Sequence, residues 1–496
     1  MSAPQLEDVA VSDLQRHCAD AVGVGERLQM LYAWFPQNAG ETPELRYLIH
    51  RGTQPMRIWR CRPGAEEAPS LAAIAPLLSW YEREVTDLCG LHFRNLPEPR
   101  SLVLLPGARA SAPPLVPGPT PTVSYTPAPP LLPEIAGPTS GDVQVLPFGP
   151  VRADVLESAQ FDFYYLGEAI VHYHPQLFFK HRGMEKRFEG LTAELGAVLA
   201  ERVSGVGSVA HALAYAEALE SAARCAVPAR ARWLRVLLAE LERLYNHLHY
   251  LGHLCHTTTL KVGEAEGKYL EDLAKQINGR ATGSRLLRGL IAPGGLRQMP
   301  HLDGMREALG TLEAEFGKYA EMLESTPSHL DRLITTGLLS RQLAFDQGAT
   351  GPIERASGLE RDLRHDQPYA AYRELPIEPT VREAGDARAR QQVRIAEIRR
   401  SIRLIVHALE TLPDGPIRSD CEIRPGTEGI GWSESPRGSL YYAVHLDDRG
   451  RLARVKIKSP SFSNWRVFAF TVHDSNMMDY AINEASFGLT IAGCDR

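Results

Sequence analysis

The sequence predicts an α+β protein in three stretches: a small N-terminal α+β domain, a proline-rich linker, and a larger, mainly α-helical domain with peripheral β-hairpins. Three observations predict it. Short strand-like runs alternate with helical segments over the first hundred residues, eleven prolines crowd residues 106–138, and long leucine-striped segments begin near residue 230. The expected boundaries are 1–105, 106–142 and 143–496.

Within the first stretch, residues 14–31 read as a helical start, followed by strand-like runs at 45–50 and 56–60, a helix, and a last strand-like run at 101–105. The linker carries only two charged residues, Arg109 and Glu134, among its prolines. Such a composition makes neither helix nor central strand, so an extended connector is expected. After it, 161–166 and 169–174 read as a hairpin turning at Gly167-Glu168, and 230–256 as an amphipathic helix with Leu234, Leu237, Leu238, Leu241, Leu244, Leu248 and Leu251 on its apolar stripe. Segments 303–337 and 380–412 read as further long helices of a bundle, whereas 346–378, rich in Gly, Pro and charge, reads only as a loop. Alternating Leu440, Tyr442, Val444 and Leu446, followed by 451–458, predict a hairpin around Asp448-Arg449-Gly450.

Composition limits the function. At 496 residues, with 44% hydrophobic and 23% charged residues, the chain has material for a large core and more than one domain. The net charge of -6 supplies no basic field, which excludes nucleic acid as a partner. No apolar run approaches the ~20 residues of a membrane helix and the N-terminus does not resemble a signal peptide, so a cytoplasmic chain touching a membrane only through partners is expected. Seven cysteines, Cys18, Cys61, Cys89, Cys225, Cys255, Cys421 and Cys494, form no Cys-x-x-Cys pattern and read as reduced thiols.

Two stretches organise the chain. Arg202-Val203-Ser204-Gly205-Val206-Gly207 makes a tight turn into a helix beginning near Ser208 and carrying His211; the last residues are Thr490-Ile491-Ala492-Gly493-Cys494-Asp495-Arg496. The turn offers a hydroxyl at Ser204 and no side chain at Gly207, and neither binds a soft transition metal, which takes thiolate or imidazole.

The turn resembles the first metal-binding motif of energy-converting nickel-iron hydrogenase large subunits, Arg-x-Cys-Gly-x-Cys followed by His, with Ser204 and Gly207 at the cysteine places. The tail resembles the second motif, with Thr490 and Gly493 at its cysteine places and Cys494 one residue past the second. Lys180-His181-Arg182-Gly183-Met184-Glu185-Lys186 is similar to the His-Arg-Gly-x-Glu-Lys block shared with the complex I 49-kilodalton subunit, and 80–93 to the signature of the complex I 30-kilodalton subunit. Residues 240–248 resemble the family's Glu-Leu-x-Arg-x-x-x-His-Leu, and Lys458-Ser459-Pro460-Ser461-Phe462-Ser463-Asn464 its Arg-Ala-Pro-Ser-Phe-x-Asn.

The resemblance implies a hydrogenase-like large subunit fused to a scaffolding 30-kilodalton-type domain. It implies that Arg182 and Arg288 neighbour a four-iron four-sulfur cluster held by a partner small subunit, a fixed cation raising a nearby cluster's potential. It places Arg437 over the pocket and Glu157 near the proton-relay position, and gives a pocket of Arg152, Glu157, His181, Ser204, Gly207, His211, Arg437, Thr490 and Gly493. All four thiolates are missing, so no cofactor is expected on this chain and no catalytic residue is assigned. The His and Tyr of complex I quinone reduction fall at Arg152 or a neighbour and at Gly205. The expected role is electron transfer from the partner's cluster to a small molecule or quinone, or coupling to ion movement, within a complex held at the inner membrane face by membrane subunits. A non-catalytic scaffold is the alternative. A metal on unusual ligands such as His211 and Cys494 ranks last, and His249, His253 and His256 lack an acidic partner at i+3 or i+4 to complete a site.

Overall fold

The computed structural model describes residues 4–36, 42–64, 67–105, 107–118, 121–126, 142–152, 157–473 and 475–496. Its N-terminal part is a four-stranded sheet in which Gln5–Asp8 pairs in parallel with Arg57–Cys61, and Glu44–His50 lies antiparallel between Arg57–Cys61 and Arg27–Trp34. Helices Leu14–Gly23 and Ser79–Cys89 accompany it. The helical expectation over 14–31 is therefore half right. Val24 and Gly25 end the helix and Arg27–Trp34 becomes a buried strand, since its Leu28, Met30 and Leu31 pack into the core.

Residues 101–105 form no strand. The Asp87 carboxylate accepts backbone N–H bonds from Leu102 (2.7 Å), Val103 (2.8 Å) and Leu104, so these amides are satisfied by one side chain in place of a ladder. The linker also departs from a plain extended chain: Ala108–Ala110 pairs with Val123–Tyr125 as a small hairpin. Residues 127–141, with Glu134 and many of the prolines, lie outside the described residues.

The larger part is a helical bundle around Ala229–Thr257, flanked by Lys261–Thr282, Met305–Ser325 and Ala387–Thr411. The first two helices touch through glycine, because a Cβ on Gly267 would lie 2.5 Å from the Gly252 Cα. The segment expected as one helix over 303–337 breaks at Thr326-Pro327 into a second helix, Pro327–Leu333.

The stretch 346–378 is not a solvated loop. Glu354, Arg355, Asp362 and Arg364 on it are buried: Arg355 and Arg364 pair with Asp362 and with Glu240, Glu397 and Glu434, and Glu354 pairs with Arg27. The peripheral sheets are Gln144–Phe148, Gln160–Leu166 and Ala169–Gln176, and the antiparallel set Glu428–Ser435, Gly438–Leu446 and Leu452–Lys458. The last set has one strand more than the expected hairpin. It lies on helix Ser208–Ala223, so closely that a Cβ on Gly431 would collide with the Ala214 carbonyl oxygen.

One apolar core runs from the N-terminal sheet through the bundle, and buried ion pairs Arg27–Glu354 and Lys456–Glu84 cross between the parts. No helix among the described residues is long and apolar enough to cross a membrane.

Candidate functional site

Helix Ser208–Ala223 begins without a side-chain cap of its own. The Glu242 carboxylate of helix Ala229–Thr257 accepts the N–H groups of Val209 (2.6 Å) and Ala210 (3.0 Å), which fixes the Ser204–Gly207 turn against the bundle. Burial pushes the Glu242 carboxyl up to about 7, against the pull of these two N–H donors. His211, one turn into the helix, shares a 2.8 Å hydrogen bond between Nδ1 and the Tyr442 hydroxyl. Burial, with Arg182 nearby, lowers its pKa to about 3, so the imidazole is neutral.

The tail forms the short helix Ile491–Asp495. Thr490 caps it by accepting the Gly493 N–H at 3.2 Å, and the Glu157 carboxylate accepts those of Ile491 (2.5 Å) and Ala492 (3.1 Å). Ser461 Oγ lies 3.3 Å from Thr490 Oγ1, and the Trp465 indole N–H donates to the Thr490 carbonyl.

Two arginines join these halves. Arg182 Nη2 donates to the Val203 carbonyl at 2.6 Å and to the Ala492 carbonyl at 2.9 Å, one guanidinium nitrogen thus touching a residue of each motif. Arg437 donates to the Gly488 carbonyl and to Asn246 Oδ1, both at 2.8 Å, and the Asn246 amide in turn donates to the Val206 carbonyl. Turn and tail, 286 positions apart between residues 204 and 490, therefore face one another across a polar, cationic seam. Arg288 also borders the turn, donating to the Gly205 carbonyl at 3.3 Å.

The donor set does not fit a nickel-iron centre. The four positions hold two hydroxyls and two glycines, and the Thr490 hydroxyl is engaged as a helix cap. The cradle is also asymmetric. A Cβ at Gly207 would meet nothing nearer than His211 Cδ2 at 3.4 Å, while one at Gly493 would strike Thr490 Oγ1 at 2.6 Å. Gly207→Ala is accordingly expected to change stability by less than about 1 kcal/mol, and Gly493→Ala to cost about 1–3 kcal/mol in chemical denaturation. Equal costs would show that the two sites are equally filled. Among the described residues, no group of three or more His, Cys, Asp or Glu side chains could hold a metal ion.

Several sequence candidates lie elsewhere. Arg152 forms a two-pronged ion pair with Glu484 (3.0 and 3.1 Å) and stacks on Phe148 and Phe161, tied to helix Tyr480–Phe487 and not to the turn. His181 Nδ1 lies 2.6 Å from the Asp495 carbonyl and borders a separate small cavity with Glu84, Glu185 and Arg496. The Cys494 thiol is buried, and burial drives its pKa up, so it is an inert thiol. The histidines of the long helix do find carboxylates, but from the next helix: His249 with Glu271 at 2.9 Å and His256 with Glu264 at 3.1 Å, their rings stacked through His253.

Reading the sequence missed Glu242, Asn246, Ser461 and Tyr442. The first two had a visible signal, being polar residues inside a leucine-striped helix and within the motif at 240–248.

Comparison with known proteins places the chain in a family. The model of the respiratory-chain NADH dehydrogenase 49 Kd subunit matches residues 271–425 and 420–496, that of the 30 Kd subunit residues 7–116, and that of nickel-dependent hydrogenase residues 182–284. Formate hydrogenlyase subunit 5 of Escherichia coli (strain K12) is 31% identical over 83% of this chain and 74% of its own length. The chain belongs to the hydrogenase large-subunit and complex I 49-kilodalton-subunit family. Hydrogenase-4 component G of the same organism is 30% identical, covering 84% of this chain and 73% of its own. An NADH-quinone oxidoreductase subunit of Rhodopseudomonas palustris (strain BisB18) is 28% identical over 86% and 82%. Within this family member, positions 204, 207, 490 and 493 are Ser, Gly, Thr and Gly, and Arg182 and Arg437 lie around them.

Proposed function

We propose that the chain is the large subunit of a membrane-associated, complex I-like oxidoreductase complex related to hydrogenases, and that it works without a nickel-iron centre. Electrons enter from a four-iron four-sulfur cluster in an adjoining small subunit, with Arg182 and Arg288 on the side facing it. They leave to a quinone or other small molecule at the seam between turn and tail, or their passage is coupled to proton movement through Glu157. Membrane subunits hold the assembly at the inner face of the membrane. The observation that carries this reading is the Arg182 guanidinium, which bonds the 203 and 492 carbonyls together although no thiolate remains between them. The cationic surroundings of a redox site persist where its metal ligands do not.

The scaffold reading has one observation in its favour. Arg182, Arg437, Glu157 and Thr490 all spend hydrogen bonds on backbone groups, so each has a structural task. One measurement tests both readings and a second separates them. The purified complex should contain nickel far below one atom per chain, and stoichiometric nickel would overturn both. In Arg182→Gln the midpoint potential of the nearest cluster should fall, because a fixed cation is lost; an unchanged potential with an intact complex leaves the scaffold.

A further inference from the structure

Cys225 and Cys421 are 196 positions apart, yet the Cys225 thiol packs against the residues that lead into Cys421, Ser419 and Asp420. The contact is built, not incidental. Cys225 follows the left-handed Arg224 that ends helix Ser208–Ala223, and its Sγ lies 3.7 Å from Ser419 Oγ and 3.8 Å from the Asp420 carbonyl oxygen. Ser419 anchors the facing segment by donating to the Ala226 carbonyl at 2.8 Å and, through its N–H, to the Gly294 carbonyl at 3.0 Å. Both cysteines are partly exposed, whereas the other five are buried.

Cys225 also lines a cleft of about 580 Å³, together with Arg224, Arg232, Arg373 and the carboxyls of Glu217 and Glu220, the latter held by Arg235. Burial, with Glu220 beside it, pushes Glu217 up to about 7, so its negative charge is weakened near neutral pH. The cleft therefore joins guanidinium groups to a reachable sulfur.

We propose that Cys225 and Cys421 are a dithiol–disulfide pair that exchanges with an anionic low-molecular-weight disulfide bound in this cleft. The Cys225 thiolate attacks one sulfur of the incoming disulfide, forming a mixed disulfide and releasing the first thiolate. The Cys421 thiolate then attacks the Cys225 sulfur and releases the second. Two protein thiols are oxidised, one external disulfide is reduced to two thiols, and the two protons pass to the departing thiolates. The order follows from the site: Cys225 lines the cleft and Cys421 does not, so an incoming disulfide meets Cys225 first. The new bond ties the segment around 412–427 to the corner between helices Ser208–Ala223 and Ala229–Thr257.

The test uses the full-length chain treated with oxidised glutathione and then titrated for thiols in denaturant. The reduced chain should show all seven thiols and the oxidised chain two fewer, with a Cys225–Cys421 linked peptide in the mass spectrum. In Cys421→Ser a glutathione adduct should remain on Cys225, and in Cys225→Ser no linkage should form. Glutathione disulfide should react about tenfold faster than neutral hydroxyethyl disulfide, a preference that Arg373→Ala reduces. Retention of all thiols, a wild-type adduct that stays on Cys225, or linkage through any other pair would overturn the proposal; equal rates for the two disulfides would overturn the anionic class.

Discussion

Replacing Glu397 by alanine is expected to cost about 3–5 kcal/mol of stability, the usual result of removing one partner from a buried charge network. Glu397 is fully buried on helix Ala387–Thr411. Its Oε1 accepts from Arg355 Nε (3.1 Å) and Nη2 (2.6 Å), and its Oε2 from Arg243 (3.2 Å) and His247 Nε2 (2.8 Å). Beyond these, Arg355 pairs with Glu434, and Arg364 with Glu240 and Asp362. Alanine would leave two guanidinium groups facing a void in the bundle. Chemical denaturation measures the cost; a loss below about 1 kcal/mol would mean that another carboxylate takes over.

The same network sets an acid limit. Burial depresses the His247 pKa from 6.5 to about 4, and although burial opposes its charge, Glu397 is held well below 4.5 by Arg355, His247 and Arg243. In both cases the unfolded chain binds protons that the folded chain does not. Stability should therefore fall as pH drops from 6.5 toward 4 through His247, and fall further below 4.5 through Glu397. In Glu397→Gln the part of this slope below 4.5 should flatten.

Arg496→Ala is the second large effect, with an expected cost of about 3–5 kcal/mol. The guanidinium donates to Glu84 at 2.6 Å, to Glu185 and to the Ile457 carbonyl, and lies 4.4 Å above the centre of the Phe462 ring. Burial works against its charge, but the two carboxylates more than offset that and raise its pKa. Without it, Lys456 and Arg454 remain to balance Glu84 and Glu185. The tail should loosen, since the Arg496 carbonyl also accepts the Arg182 N–H. Limited proteolysis should then release tail peptides faster than in the wild type, and an unchanged rate would show that Arg182 and Glu157 suffice to hold the tail.

Much of the fold was legible because periodicity is local. The leucine stripe of Ala229–Thr257 and the alternation in Gly438–Leu446 need no partner to be seen. Errors arose where a distant group satisfied the backbone, as when Asp87 took the amides of 102–104, or where charges paired out of sequence, as in 346–378. The same distinction divides the candidate site. Ser204, Gly207, Thr490 and Gly493 could be picked out by their positions in two motifs, whereas Glu242 and Asn246 do their work through space.

Residue identity alone determined that no sulfur stands at the four motif positions, because donor chemistry belongs to the side chain and needs no coordinates. Only the tertiary structure decided which groups meet there: Arg182 and Arg437 span turn and tail, Arg152 turns away to Glu484, and the Cys225 thiol meets the Asp420 carbonyl beside Cys421. The reason is that hydrogen bonds and ion pairs act over a few ångströms of space, a separation that distance along the chain does not specify.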